Sequence, residues 1–260
     1  MIASITAPLA MGQNSDYYTL RHAEGFGSAG VAVTKWNRPG FDGVKIPRAF
    51  WRERIMRLII GVRAPDSATY EEKRRDFQEA FDLPHKGLTW LKFVTQGGLK
   101  LQTRVQLNAA IQAPLLAGHV TIGEFRIELV AEDPIFYSQT ETEEDITFAA
   151  GSGTITNGGN APLYPSLRVH GNVLNPSIKN SGLNRTLSLI TTIGAGSYYD
   201  VNMLNETVEN ENGVSKYSEI NSDDFFWLAK GDNSIVLGGT PGGSGYKKVT
   251  FTYRNGYLGI

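Results

Sequence analysis

The chain predicts a mainly β fold, with an α+β N-terminal domain and a C-terminal β-sandwich. Three observations predict it. Apolar residues alternate with period two over residues 100–108 and 124–129, as in strands that bury one face and leave the other in water. One segment, Tyr70 to Phe81, has helical spacing behind a capping signal. From Pro162 onward, short β-branched and aromatic runs alternate with turn residues, the spacing of a sandwich.

The elements follow in order. Residues 17–36 predict a hairpin around Gly25–Gly30, because Val31 to Trp36 is rich in β-branched and aromatic residues. Arg54 to Val62 predicts a longer strand, apolar enough to be buried on much of both faces. The helix is announced by Asp66, Ser67 or Thr69 as cap, with Thr69 and Glu72 fitting a capping box. Tyr70, Phe77, Ala80 and Phe81 form its apolar stripe, and Leu83–Pro84 ends it. Trp90 to Val94 is a strand. Leu101, Thr103, Val105 and Leu107 share one face of the next, and Phe125, Ile127 and Leu129 one face of another.

The acidic run Glu141, Glu143, Glu144, Asp145 and the glycine-rich residues 151–160 predict a connection, with a short strand at 146–148 or 154–156. The boundary falls within 138–162, drawn as domains 1–145 and 146–260. Beyond it, strands are expected around 163–171, 175–180, 226–237 and 249–254, with Gly238–Gly245 as the hairpin tip between the last two.

Composition excludes several classes. The chain has 260 residues, enough to bury a core without staples. It has no cysteine, so disulfides, thiolate metal sites and a cysteine nucleophile are excluded. Net charge is −1, and neither half is basic enough for a nucleic-acid footprint. The most apolar stretch, Leu107 to Ile122, is broken by Gln112, Pro114 and His119 and is shorter than the ~20 residues a membrane helix needs. Met1–Ile5 lacks the basic and apolar regions of a signal peptide. A soluble protein is expected.

No motif builds a reaction centre. Gly25–Gly30 matches G-x-G-x-x-G but is followed by strand-forming residues, whereas a dinucleotide site needs a helix there. Gly238–Gly245 lacks the G-K-[S/T] ending of a phosphate loop. His22, His85, His119 and His170 are scattered, with only His22 near another ligand type, Glu24, unlike the tight cluster of a zinc site. Asp223–Asp224 precedes an aromatic run and reads as a solvated turn, not a glycosidase pair. Arg48, Arg52, Arg54, Arg57 and Arg63 read as an arginine-rich strand facing solvent or another subunit. No catalytic, cofactor-binding or metal residue is assigned, and an enzyme is not expected.

In order along the chain, Arg54 to Val62 with Tyr70, Arg74 and Phe77–Phe81, then Gly171 with Asn175–Asn180, then Leu228–Gly231, Asn233 and Ile235, and the ending Thr252–Ile260 resemble the distal tail protein family of siphophages. The resemblance covers nearly the whole chain, although each piece is short. It implies an N-terminal barrel-like, ring-forming belt domain and a C-terminal galectin-like sandwich. It also implies a hexameric ring between the tail tube protein and the tail-associated hub or tip protein, with receptor-binding proteins as further candidate partners. Such a part is made in the bacterial cytoplasm, sits in the virion tail, carries no catalytic residues, and needs no specific nucleic acid and no membrane insertion. The competing expectation is a carbohydrate-binding sandwich for host attachment, with Trp227, His170 and Asn233 as candidate contacts and Phe225, Phe226 and Trp227 weighed as a stacking platform or core.

Overall fold

The computed structural model describes residues 2–7, 11–12, 15–39, 42, 44–81, 87–113, 120–243 and 247–260. It is mainly β, with one α-helix among the described residues. The chain forms two compact units, Met1–Gln139 with Tyr257–Ile260, and Thr140–Gly256.

The first unit contains β1 (Ile2–Ala7), β2 (Met11–Gly12), β3 (Tyr18–Glu24), β4 (Val31–Asn37), β5 (Val44–Trp51), β6 (Arg54–Arg63), α1 (Ser67–Ala80), β7 (Thr89–Thr95), β8 (Lys100–Leu107), β9 (Ile122–Ala131) and β10 (Phe136–Ser138). Its main sheet runs β2-β1-β7-β8-β9-β6-β3, with β10 also pairing β8. β2 and β3, at the two ends of that order, approach each other, so the sheet curls like a barrel. The period-two pattern fixes which face turns inward. Leu101 and Val105, then Phe125, Ile127 and Leu129, are buried as their alternation requires.

α1 closes one side of this core. Asp66 is its N-cap: its carboxylate accepts the Thr69 backbone N–H at 2.8 Å and the Thr69 hydroxyl at 2.9 Å. Thr69 is therefore inside the helix and the capping box does not form. These bonds hold the Asp66 carboxyl below its ordinary pKa. Tyr70, Phe77 and the C-cap Phe81 point into the core, with the Phe77 ring 4.7 Å from Phe125 and 4.9 Å from Phe81. Gly123 makes room for Tyr70, because a Cβ there would lie 1.9 Å from the phenol oxygen. Leu83–Pro84 lies outside the described residues.

Two local expectations are corrected here. β3 and β4 do not form a hairpin: β3 pairs with β6, and β4 pairs with β5. Gly25 sits between them at φ +82°, where a Cβ would lie 2.0 Å from the Ile55 carbonyl oxygen. The chain packs there against the start of β6 and then leaves the sheet, a path only glycine permits. β6 is also buried chiefly on one face through Met56, Leu58 and Ile60, with Ile55 exposed on the other.

The second unit contains β11 (Thr142–Thr147), β12 (Ser152–Asn157), β13 (Ser166–His170), β14 (Val173–Asn180), β15 (Arg185–Leu189), β16 (Thr192–Ile193), β17 (Tyr198–Asn202), β18 (Thr207–Asn210), β19 (Ile220–Asp223), β20 (Gly231–Pro241) and β21 (Lys248–Tyr253). They form two antiparallel sheets, β11-β21-β13-β17-β18 and β12-β20-β14-β15-β19, with β16 beside β14. One apolar core, including Phe226, Phe251, Leu167, Ile178 and Ile235, fills this sandwich.

The acidic run is not a connection. It is β11, paired along its whole length with β21. Its carboxylates are satisfied across the strands: Lys248 donates to Asp145 at 2.7 Å, Tyr253 to Glu144 at 2.6 Å and Arg254 to Glu141 at 2.6 Å. Such cross-strand partners offset the poor strand propensity of acidic residues. Gly238–Gly245 is not a hairpin tip either, because β20 and β21 belong to different sheets. Residues 244–246, between them, lie outside the described residues.

Candidate functional site

The first candidate surface is the β4–β5 ribbon. Among the described residues, the two strands pair only with each other, from Val31↔Trp51 to Asn37↔Val44, with a register shift between Thr34 and Trp36. A bond from Arg52 N–H to Gly30 O at 2.8 Å closes its base. The register puts Val31, Val33 and Trp51 on one face and Phe50 on the other. All are exposed, as are Trp36 at 57%, Ile46 at 55% and Val44. An isolated two-stranded ribbon is marginal in water, and an apolar surface of this kind marks an interaction site. Lys35, Arg38, Lys45, Arg48 and Arg52 against the single acid Asp42 make it basic as well.

Directly after the ribbon stands Arg54, 1% exposed. Its Nε donates to Pro134 O at 2.9 Å. Nη1 donates to Gly25 O at 2.8 Å and to Gly27 O. Nη2 donates to Pro134 O at 2.5 Å and Leu258 O at 2.6 Å. The guanidinium also lies 4.1 Å from the Phe136 ring centroid. Burial pulls its pKa down to about 10, against the opposing pull of Asp133. All five N–H donors thus serve backbone carbonyls, which fixes the loop at the base of the ribbon and the C-terminal residues in one place. The arginine run gave no sign that one member is buried; the signal available was its place as the first residue of an apolar strand.

The outward face of the barrel sheet is a lattice of ion pairs. Arg57 donates to Glu128 at 2.6 Å, Asn108 to Glu128 at 2.6 Å and Arg126 to Glu124 at 3.1 Å. His22 Nε2 lies 2.9 Å from Glu24 Oε1. These exposed pairs contribute under about 1 kcal/mol each and leave a shallow cleft of about 320 Å³.

The second candidate surface is the outer face of the β11-β21-β13-β17-β18 sheet, a trough of about 930 Å³. Cross-strand register lines up Glu143, Thr252, Ser166, Asn202 and Thr207 in one row and Asp145, Thr250, Arg168, Asp200 and Glu209 in the next. Arg168 clamps Asp200 through Nε at 2.7 Å and Nη2 at 3.0 Å, beneath the Tyr198 ring at 4.1 Å. Asp145 is held below the ordinary carboxylate range by the Lys248 bond and then by Thr250. His170 is pushed below its ordinary pKa by burial, then by Lys248 and Arg168.

The residues singled out from the sequence disperse. His170 lines this trough, 3.2 Å from the Thr250 hydroxyl. Trp227 is half-buried, edge-on to Tyr164 at 6.3 Å, while Phe225 and Phe226 are core. Asn233 is not a sugar contact but a buried brace. Its side-chain oxygen accepts Ala229 N–H at 2.9 Å, and its amide donates to Ala229 O and Gly231 O at 2.9 Å. Asn233→Ala strands these groups in the core and is expected to cost the second unit about 2–3 kcal/mol, read as an earlier thermal transition with the first unit's transition unmoved. Asp223 and Asp224 are exposed beside the core phenylalanines, and Gly25–Gly30 is a turn with no helix after it. His85 and His119 lie outside the described residues. Among the described residues, no group of three or more His, Asp or Glu could hold a metal ion, and no helix is long and apolar enough to cross a membrane.

Fold and surfaces define a class: a two-unit β protein whose most conspicuous features are surfaces for contact. No protein-family model matches the chain, and no curated protein matches it. Among solved structures, it is similar to the crystal structure of SPP1 Dit (gp 19.1), described as a paradigm of the hub adsorption apparatus in phages infecting Gram-positive bacteria. The TM-score is 0.67 at 16% identity, over 92% of this chain and 94% of that one. The phage P2 baseplate in its activated conformation with Ca gives a TM-score of 0.49 at 9% identity, over 98% of this chain and 96% of that one. The likeness to SPP1 Dit establishes a shared fold through both units.

Proposed function

We propose that this chain is a structural virion protein, the distal tail ring that connects the tail tube to the baseplate or tail-tip hub of a long-tailed bacteriophage. The observation that carries the assembly reading is the β4–β5 ribbon, which exposes tryptophan, phenylalanine and isoleucine with no other strand beside it among the described residues. The fold shared end to end with SPP1 Dit supports the kind of assembly. A second copy of this chain is the natural cover for the ribbon. Head-to-tail contacts between copies close into a cyclic ring when the rotation allows, and apolar aromatic anchors with flanking arginine suit such an interface.

In this reading, the first unit, expected from the sequence as residues 1–145, forms the ring as a belt domain, and the second, expected as residues 146–260, is a galectin-like sandwich. The tube protein and the tail-associated hub protein take the two faces of a hexamer, with receptor-binding proteins at the periphery. The chain acts by position and contact, with no catalytic residue, cofactor or metal. Negative-stain images of the purified chain at high concentration test this: closed hexameric rings are expected, and open filaments or uniform single copies would contradict it.

A further inference from the structure

Apart from ring assembly and without resting on it, we infer that the outer edge of β12 is a docking site for an extended segment of another protein. That segment bears a lysine or arginine and joins the β12-β20-β14-β15-β19 sheet as a further strand. A strand that ends a sheet presents a row of unpaired backbone groups, and folded proteins blunt such edges with charge, bulges, proline or a covering loop. The other end strands of the sandwich sheets carry these devices. β11 holds Glu143, Glu144 and Asp145. β18 is covered, with Lys216 N–H donating to Val208 O at 2.7 Å and Asn210 N–H to Val214 O at 3.0 Å. β19 is short, and its register slips between Ser188 and Leu189.

β12 has none of them. Ser152–Asn157 contains no charge and no proline, and it pairs with β20 without a break from Ser152↔Val236 to Asn157↔Gly231. Leu237 N–H donates to Gly151 O at 2.8 Å. Residues that exchange bonds alternate along an antiparallel ladder. Gly153, Ile155 and Asn157 therefore turn their backbone groups to β20, and Ser152, Thr154 and Thr156 turn theirs outward. All three outward residues are exposed, and among the described residues no strand pairs with that edge. At about 3.4 Å per residue the edge runs about 20 Å, long enough for main-chain bonds to hold a strand in register.

Charge names the occupant. The Tyr253 hydroxyl lies 2.6 Å from Glu144 Oε1 and 3.0 Å from Thr156 O, which places the Glu144 carboxylate beside the Thr156 end of the edge. Asp232 stands at the same end and accepts the Thr156 hydroxyl at 2.8 Å. Among the described residues, neither carboxylate pairs with a cation. A lysine or arginine near one end of the incoming strand meets them as a cross-strand partner. A second copy's β12 brings no cation. Pairing two folded sandwiches edge to edge also buries little beyond one strand from each, well short of the ~800 Å² per partner of a stable interface. A slender segment draws its affinity from main-chain bonds instead.

The test follows amide hydrogen exchange in the full chain with peptides about eight residues long, to match the strand. Their centres alternate threonine and valine, and their ends carry lysine, serine or glutamate. A peptide with the sequence of residues 31–37 stands in for the ribbon of a second copy. With the lysine-ended peptide at millimolar concentration, exchange at Ser152, Thr154 and Thr156 is expected to slow by about tenfold. The serine-ended peptide binds more weakly and the glutamate-ended one most weakly. Thr154→Pro abolishes the slowing at Ser152 and Thr156 and leaves the fold intact, because an outward N–H on an edge strand tolerates proline. Thr154→Lys repels the same peptide and covers the case in which the proline variant does not fold. Glu144→Gln keeps an acceptor for Tyr253 and narrows the preference for lysine over serine. No slowing at these amides, slowing that survives Thr154→Lys, or equal binding of the three peptides would overturn the inference. Tighter binding of the residue 31–37 peptide would also overturn it and assign the edge to self-assembly. Ring formation is read by mass and imaging, so the two readings fail separately.

Discussion

Arg54→Met lowers the stability of the first unit by about 4 kcal/mol, because it leaves several buried carbonyl groups without a donor, each costing about 1–3 kcal/mol. The carbonyls are those of Gly25, Gly27, Pro134 and Leu258, all reached by the one guanidinium. Methionine fills much of the volume and isolates the lost hydrogen bonds from a cavity effect. Arg54→Lys rescues little, since an ammonium has three donors and cannot span the same acceptors. At about 2–4 °C per kcal/mol for a chain of this size, the first unit's melting temperature falls by roughly 10 °C. Hydrogen exchange at residues 257–260 rises with it, because Leu258 loses its anchor. A melting temperature within 2 °C of the parent would show that the carbonyls find other partners.

Trp36→Ser combined with Phe50→Ser weakens self-association about a thousandfold, as expected when two interface anchors worth about 2 kcal/mol each are truncated. Both side chains are exposed in the single chain, so the stability of the dissociated protein is expected to stay within about 0.5 kcal/mol of the parent's. That combination separates interface from fold: a core substitution moves both readouts. The basic side chains of the ribbon add a salt dependence. Arg48→Gln and Lys45→Gln are expected to slow association at low ionic strength and to matter little at 1 M salt, where the screening length is about 3 Å.

Much of the fold was legible because local pattern and tertiary burial agree. The Tyr70, Phe77 and Phe81 stripe and the alternation of β8 and β9 need only their own periodicity, and each is buried as read. What was not legible depends on partners distant in sequence. The run Glu141–Asp145 reads as a linker until Lys248, Tyr253 and Arg254 are placed opposite it, more than a hundred residues away. β4 reads as a strand, yet its partner does not, since nothing local says that Val31–Trp36 pairs forward with residues 45–51 and not backward across Gly25. Arg54 and Asn233 read as surface groups because arginine and asparagine are mostly exposed. Their burial follows from carbonyls gathered by the fold around them. Of the sugar candidates, His170 is on the trough, whereas Trp227 does not line it and packs against Tyr164 and Arg185.

The most direct test of the assembly reading is site-specific photo-crosslinking from the ribbon. With Ile46 replaced by a photoreactive residue in the full chain, irradiation at high concentration is expected to give a ladder ending at the hexamer, with crosslinked peptides from residues 1–139 of a neighbouring copy. Crosslinks confined to the same chain, or a chain that stays uncrosslinked while rings are present, would contradict it.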